Sequence, residues 1–297
     1  MSLNRRKKHR PVTDFDLRER AMGWAGILPR ANGSSRDDAR CASTGNNSQR
    51  QNLMKAMILA AGRGERMRPL TDALPKPLLE VGGKALIVWH IESMVKAGIT
   101  ELVINHAYLG DKIEAALGDG HQFGAKIRYS RESMALETAG GIAYALPMLG
   151  NQPFAVVNGD IYCDYDYSRL HELALKPLAS GDLAHLVLVN NPAHHPSGDF
   201  CLTENRITSF QTPTGTPNPE FSILNPETLL TFSGIGLYHP DLFSQIPAGS
   251  IAPLAPLLRS GITQGKISGE LHAGQWVDVG TPQRLQQLDM ELRNTHA

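Results

Sequence analysis

Cysteine is scarce in this chain of 297 residues, and the three present (Cys41, Cys163 and Cys201) lie far apart. That spacing gives neither a disulfide framework nor a zinc-finger set, and it points to a reducing cytoplasm. Aromatic residues make up only 6% of the chain. No run approaches the ~18 consecutive apolar residues of a membrane helix, which excludes a spanning helix, and no membrane partner is expected. No charged-then-apolar leader opens the sequence, so no secretory signal is expected. Short internal repeats are missing too, which removes a solenoid tail and favours a monomer or weak dimer.

Net charge is also absent, with 29 basic and 29 acidic side chains, but the balance conceals a split. Residues 1–53 hold 11 of the basic and 5 of the acidic groups; the rest of the chain therefore carries 18 and 24. A body with net charge −6 repels phosphate backbones, which argues against nucleic acid as a partner. The basic arm itself, with its RKKHR run, could bind nucleic acid in a steeply salt-dependent way. Its Ser, Asn, Arg and Gly content and lack of apolar period instead predict a disordered or non-native extension over 1–53. Met54 opens the first strand signal and reads as a natural start.

From Lys55 onward, apolar runs alternate with amphipathic stretches. KAMILAA, ELVINHAY, KIRYS and PFAVVNGD read as strands. ALIVWHIESMVKAG, LGDKIEAALG and TAGGIAYALPMLG read as helices, the last broken by Pro147. The order predicts an α/β domain over 54–297, its sheet mostly parallel with helices on both faces. LAHLVLV, DFCLTE, RITSFQ and LTFSGIGLY predict a small β-rich insertion beside that sheet. Helices are expected again at PLAPLLRSGITQG and TPQRLQQLDMELRN.

The densest chemical signal is LAAGRGERMRPLTDALPKPLLEVGGKALI, residues 59–87. Gly62 and Gly64 follow a buried strand, where backbone amides can form an anion nest. Arg66 and Lys76 add fixed positive charge, and the prolines around Lys76 keep it out of a helix. Met67 stands where G-x-G-x-x-G needs its third glycine, and no G-x-x-x-x-G-K-[ST] occurs, so two better-known phosphate loops are excluded. A second motif, Val156-Val157-Asn158-Gly159-Asp160, puts an acid directly after a strand, at the edge where α/β sheets bind ligands. A third, Trp276-Val277-Asp278-Val279-Gly280-Thr281-Pro282, supplies another acid. Taken singly, each acid also reads as an ordinary turn or helix-cap residue.

Together these runs resemble the signatures of the sugar-1-phosphate nucleotidylyltransferases, and the resemblance covers nearly all of 54–297. It implies a Rossmann-like sheet and a reaction joining UTP to a sugar 1-phosphate with release of pyrophosphate. Arg66 and Lys76 would be the catalytic cations. Gly64, Glu65, Arg66, Lys76, Gly140 and Gly141 would bind nucleotide, Glu65 replacing the family's usual threonine. The LETAGG loop around Gly140 and Gly141 would lie against the base. Asn158 and Asp199 would meet the sugar, and Asp160 and Asp278 would hold Mg²⁺, the implied cofactor.

The adjacent His194-His195 pair lacks a partner cluster and is expected to be solvated. Gln211-Thr212-Pro213 replaces the family's Glu-Lys-Pro, whose lysine meets the sugar phosphate, leaving Arg259 or Lys266 as substitutes. That replacement, with NGDIYCDYD and NPAHHPSGDF, narrows the resemblance to a uridylyltransferase branch serving cell-wall sugars. Mannose 1-phosphate with GTP, or glucose 1-phosphate with UTP or dTTP, are the competing substrates. A non-catalytic nucleotide-sugar sensor is the reading from another class, opposed by the retention of both acids and both cations.

Overall fold

The computed structural model describes residues 54–175, 181–208 and 229–295. The expectations for residues 1–53 and for the Gln211-Thr212-Pro213 stretch fall outside these. β1 (Lys55–Leu59), β4 (Glu101–His106), β5 (Lys126–Arg131) and β6 (Phe154–Asn158) form a parallel set in the order β5-β4-β1-β6. β1, β4 and β6 are short runs of mainly apolar residues, which suits strands covered on both faces, whereas β5 at the sheet edge keeps Lys126, Arg128 and Arg131 exposed.

The β-rich half of the sequence does not stand apart from this sheet. β11 (Leu229–Tyr238) inserts antiparallel beside β6. Beyond it the order continues through β8 (Ala184–Val189), β12 (Ile267–Leu271), β10 (Arg206–Thr208) and β9 (Phe200–Thr203) to make nine strands. The expected insertion is therefore the second half of one mixed sheet. Two two-stranded ladders lie outside it: β2 (Glu80–Val81) with β3 (Lys84–Ala85), and β7 (Ile161–Cys163) with β13 (Trp276–Asp278).

Strand alternation divides the core into two layers. Ile58, Ile104 and Val157 face α1 (Leu86–Lys96) and α2 (Gly110–Leu117), whose Ile87, Ile91, Met94 and Ile113 complete one cluster. Met57, Val103 and Val156 face α3 (Glu137–Leu149) and α5 (Leu254–Thr263) on the other side. Between these helices in the chain lies α4 (Ser168–Leu175), which no periodicity had signalled. α6 (Pro282–Thr295) seals a third cluster in which Met67, Val81, Tyr162, Val279 and Leu288 meet. Met67 is thus a core plug at the place where a phosphate loop of the other type would need glycine.

Pro147 does not break α3, which runs on to Leu149 before Gly150 turns the chain at φ 94°. A proline this close to the C-terminus forfeits a single intrahelical donor, and little helix remains beyond it to disrupt.

Candidate active site at the carboxyl ends of the strands

The β1, β4 and β6 strands end at one edge, where Leu59 to Gly62, Gly64, Asn105 and Asn158 border a cleft of about 350 Å³. Lys76, Pro77, Asp160, Glu137 and Thr138 complete its walls. A second cleft of about 340 Å³ shares Leu59, Glu137, Thr138 and Asn158 with the first. It continues along Asp199, Phe200, Phe232, Tyr238, Leu254 and Leu258. The first half carries Gly62 and Gly64 with Lys76 and Asp160; the second carries the bulkier Phe200, Phe232, Tyr238 and Leu258 with Asp199.

In the glycine-lined half, Gly64 sits at φ +63°, the left-handed region that favours glycine. Its carbonyl accepts from Thr71 Oγ1 at 2.8 Å, closing the loop on itself. The Lys76 ammonium, only 5% exposed, donates to Asp160 Oδ2 at 2.7 Å. A lysine this deeply buried needs such a partner. Gly159 explains why Asp160 lies here: its N–H donates to Leu59 O at 2.8 Å, and a Cβ would stand 2.9 Å from that oxygen. The N-G-D run is therefore a close approach of β6 to the end of β1.

His90 fixes the next residue. Its Nε2 donates to Ile161 O at 2.8 Å, which leaves Nδ1 to accept from the Tyr167 hydroxyl at 3.0 Å. Complete burial pushes this imidazole down to about 4, against the raising effects of the Ile161 carbonyl and Asp160.

Asp278 arrives through the β7–β13 ladder, where it pairs with Ile161, one residue beyond Asp160. Acids far apart in sequence thus lie on adjoining backbone. Arg284 Nη1 donates to Asp278 Oδ2 at 3.0 Å and to His194 Nε2 at 2.6 Å. Asp278 faces a smaller recess of about 210 Å³ with His194, Trp276 and Arg284, and it is not among the residues lining the cleft that holds Asp160. Each acid carries its own basic partner.

Other expected residues are distributed differently. Glu65 and Arg66 are exposed on the 3-10 turn Glu65–Met67 and line neither cleft, because buried Met67 anchors that turn and directs its neighbours outward. Gly140 and Gly141 are buried behind the cleft wall rather than lining it. A Cβ at Gly140 would lie 2.2 Å from Ser250 O, and one at Gly141 would meet Glu132 Oε1 at 2.8 Å and Asn105 Nδ2 at 2.9 Å. The glycines serve close packing of α3; Ala135, Glu137 and Thr138 supply the cleft surface of that loop.

Asn158 borders both halves. Asp199 lines the second half, where Oδ2 accepts from Phe232 N–H at 2.8 Å and Oδ1 lies 3.1 Å from His195 Nε2. Both histidines are solvent-accessible as expected, with side chains 43% and 40% exposed, and each also has a partner: Arg284 for His194 and Asp199 for His195. Arg259 is exposed on α5 and lines neither cleft. Lys266 precedes β12, at the sheet edge opposite the cleft.

Sequence patterns gave no sign of the Asn105–Glu132 pair. Asn105 Oδ1 accepts from Ala60 N–H at 3.0 Å, and Nδ2 donates to Glu132 Oε1 at 2.7 Å. Glu132 Oε2 in turn accepts from Leu136 N–H at 3.0 Å. Desolvation raises the Glu132 carboxyl despite these bonds. The pair ties the start of the glycine loop to the loop before α3. Glu137, at φ 57°, holds the strained backbone conformation common at ligand clamps.

The glycine turn, the buried Lys76 and Asp160 thus meet in one cleft at the strand ends, with Asp278 on the adjoining ladder. The chain belongs to the nucleotidyl transferase family, whose profile matches residues 55–295. The N-acetylmuramate alpha-1-phosphate uridylyltransferase of Neisseria meningitidis serogroup B is 54% identical over 235 residues, covering 79% of this chain and 96% of that protein. The mannose-1-phosphate guanyltransferase of Aspergillus fumigatus is 33% identical over 252 residues; the match covers 77% of this chain but 61% of that one. Among solved structures, HddC from Yersinia pseudotuberculosis complexed with GMP-PN superposes with a TM-score of 0.63 at 19% identity, over 80% of this chain and 99% of that one. At that identity the superposition speaks for the fold alone.

Proposed function

We propose that this protein is a uridylyltransferase that joins UTP to N-acetylmuramate α-1-phosphate, giving the UDP-sugar and pyrophosphate, in the cytoplasmic recycling of cell-wall sugars. The observation that carries the choice of substrates is the 54% identity to the Neisseria enzyme across 96% of its length. The two-part cleft is consistent with it, since a polyphosphate suits the glycine-lined half and a sugar the half built from β9, β11 and α5.

Attack by the sugar phosphate oxygen on the α-phosphorus of UTP needs no side-chain nucleophile, so positioning and charge compensation carry the catalysis. Gly62 and Gly64 leave the loop backbone open to the triphosphate. Lys76, held from below by Asp160, brings a fixed cation to the phosphates. Arg66 is exposed near the rim and is proposed to close on the outer phosphates. Asn158 and Asp199 orient sugar hydroxyls. Asp160 and Asp278 are the residues that would hold Mg²⁺. Their fit rests on hard carboxylate oxygens, partial exposure of 41% and 26%, and ladder register, with lysine and arginine as their present partners. A site of one or two carboxylates completed by substrate phosphates is usual for this ion. When bound, Mg²⁺ neutralises phosphate charge and aligns the entering and leaving oxygens.

Pyrophosphate release tests the reading, with UTP, GTP, ATP and dTTP each offered N-acetylmuramate, N-acetylglucosamine, glucose and mannose 1-phosphates. UTP with N-acetylmuramate α-1-phosphate should be fastest, and EDTA should abolish release. Faster turnover of GTP with mannose 1-phosphate would transfer the protein to the guanylyl branch, and no release from any pair would support the sensor.

A further inference from the structure

A second constellation lies at the other end of the β7–β13 ladder, away from Asp160. Cys163 closes β7, Asp164 follows it, and His272 follows β12. Their thiol sulfur, carboxylate oxygen and ring nitrogen all lie within 4.8 Å of one another. Each is anchored. Cys163 Sγ accepts from the Tyr165 N–H, the Asp164 N–H donates to Gln275 O at 3.1 Å, and the His272 N–H donates to Leu188 O at 2.8 Å. The His272 ring meets Tyr165 edge-on at 5.5 Å, with Nε2 2.8 Å from Asp164 Oδ1. The sulfur is buried, whereas the carboxylate opens to water.

We propose that Cys163, Asp164 and His272 form a zinc site, with water in the fourth position beside Asp164. The donor set selects the metal. Thiolate with imidazole suits Zn²⁺ and its spectroscopic substitute Co²⁺, while Mg²⁺ and Ca²⁺ prefer all-oxygen shells. Tetrahedral bonds of about 2.0 to 2.3 Å put ligand atoms roughly 3.3 to 3.8 Å apart, so small side-chain rotations from the arrangement seen suffice. On binding, the thiol proton leaves to solvent and the sulfur–metal bond replaces it. Cys163 pairs with Trp276 and Ile161 with Asp278 on the same ladder. Zinc here binds β7 to the connection between β12 and β13, and holds from its far end the ladder that ends in Asp278 and is preceded by Asp160. It takes no part in the phosphate chemistry, and its existence does not depend on the transferase reading.

The test uses the full chain bearing Cys41→Ser and Cys201→Ser, stripped with EDTA and titrated with Co²⁺. One equivalent should produce near-ultraviolet thiolate-to-cobalt charge transfer and visible bands of tetrahedral strength, and Zn²⁺ should bleach both. Cys163→Ser should remove the charge-transfer band. His272→Gln, at a more accessible ligand, should weaken Co²⁺ binding about tenfold or more with the fold intact by circular dichroism. Zn²⁺ should raise the Tm of the parent but not of His272→Gln. No charge-transfer band at millimolar Co²⁺, or identical titrations of parent and His272→Gln, would overturn the site.

Discussion

The two halves of the cleft are built by opposite strategies. The half proposed for phosphate draws Gly62, Gly64, Lys76 and Pro77 from one short stretch of chain. Tight backbone contacts fix its glycine turn, and Lys76 and Asp160 are already paired with each other. The half proposed for the sugar gathers Asp199, Phe232, Tyr238 and Leu254 from segments that meet only when β11 enters the sheet between β6 and β8. Bulky side chains line it, and Asp199 doubles as a tie between the β9 and β11 segments through Phe232 N–H. On the proposed reading, charge is handled where the chemistry is common to all substrates, and shape is left to the part that distinguishes them. Altering the first half should therefore depress turnover with every sugar, and altering the second should change preference among sugars.

Lys76→Ala should have the largest effect, lowering kcat about 10²-fold or more, as for loss of another preorganised transition-state donor. Steady-state kinetics with saturating UTP would read it, and near-normal turnover would remove the lysine from the mechanism. Asp160→Asn should cost nearly as much and raise the Mg²⁺ concentration needed for half-maximal rate. A loss of stability with unchanged metal dependence would instead return Asp160 to its turn role.

Asn105→Ala leaves the Ala60 N–H and the Glu132 carboxylate without their shared partner. Unfolding in urea should show a loss of about 1 to 3 kcal/mol, and KM for UTP should rise more than KM for the sugar phosphate. In the other half, Asp199→Asn keeps an oxygen for Phe232 N–H but forfeits its charge. KM for the sugar phosphate should rise about tenfold with KM for UTP unchanged, a shift worth about 1.4 kcal/mol. Equal changes in both would erase the division between the halves.

The smallest effect is one of stability. His90 is neutral in the folded chain down to about 4, whereas unfolded histidine takes its proton near 6.5. Between those values the unfolded state binds more protons, so the contribution is full above 6.5 and fades as pH falls towards 4. From pH 7 to 5.5 the loss should be about 1 kcal/mol, absent from His90→Gln in parallel urea titrations.

Legibility followed the same division. Gly64, Lys76 and Asp160 could be read because local backbone demands leave marks on local sequence: glycine at positive φ, prolines beside a lysine, an acid after a strand. The parallel strands announced themselves as apolar runs. The β7–β13 pairing left no mark, since two three-residue strands carry too little pattern, yet that pairing brings Asp278 beside Ile161. The resemblance sets the loop around Gly140 and Gly141 against a base, while the space those two glycines spare belongs to Ser250 and to the Asn105–Glu132 pair. A glycine in sequence reports that something comes close without saying what. Arg284 stayed invisible for a similar reason, because its meaning lies in Asp278 and His194, which reach it through the fold.

The most direct measurement is a crystal structure of the protein with a non-hydrolysable UTP analogue and Mn²⁺, located by its anomalous signal. One ion should bridge Asp160, Asp278 and the α-phosphate, with Lys76 turned from Asp160 onto phosphate oxygen and the triphosphate lying along Gly62 and Gly64. Nucleotide bound there while Asp160 stays on Lys76 and Asp278 on Arg284, with no ion between the acids, would contradict the account.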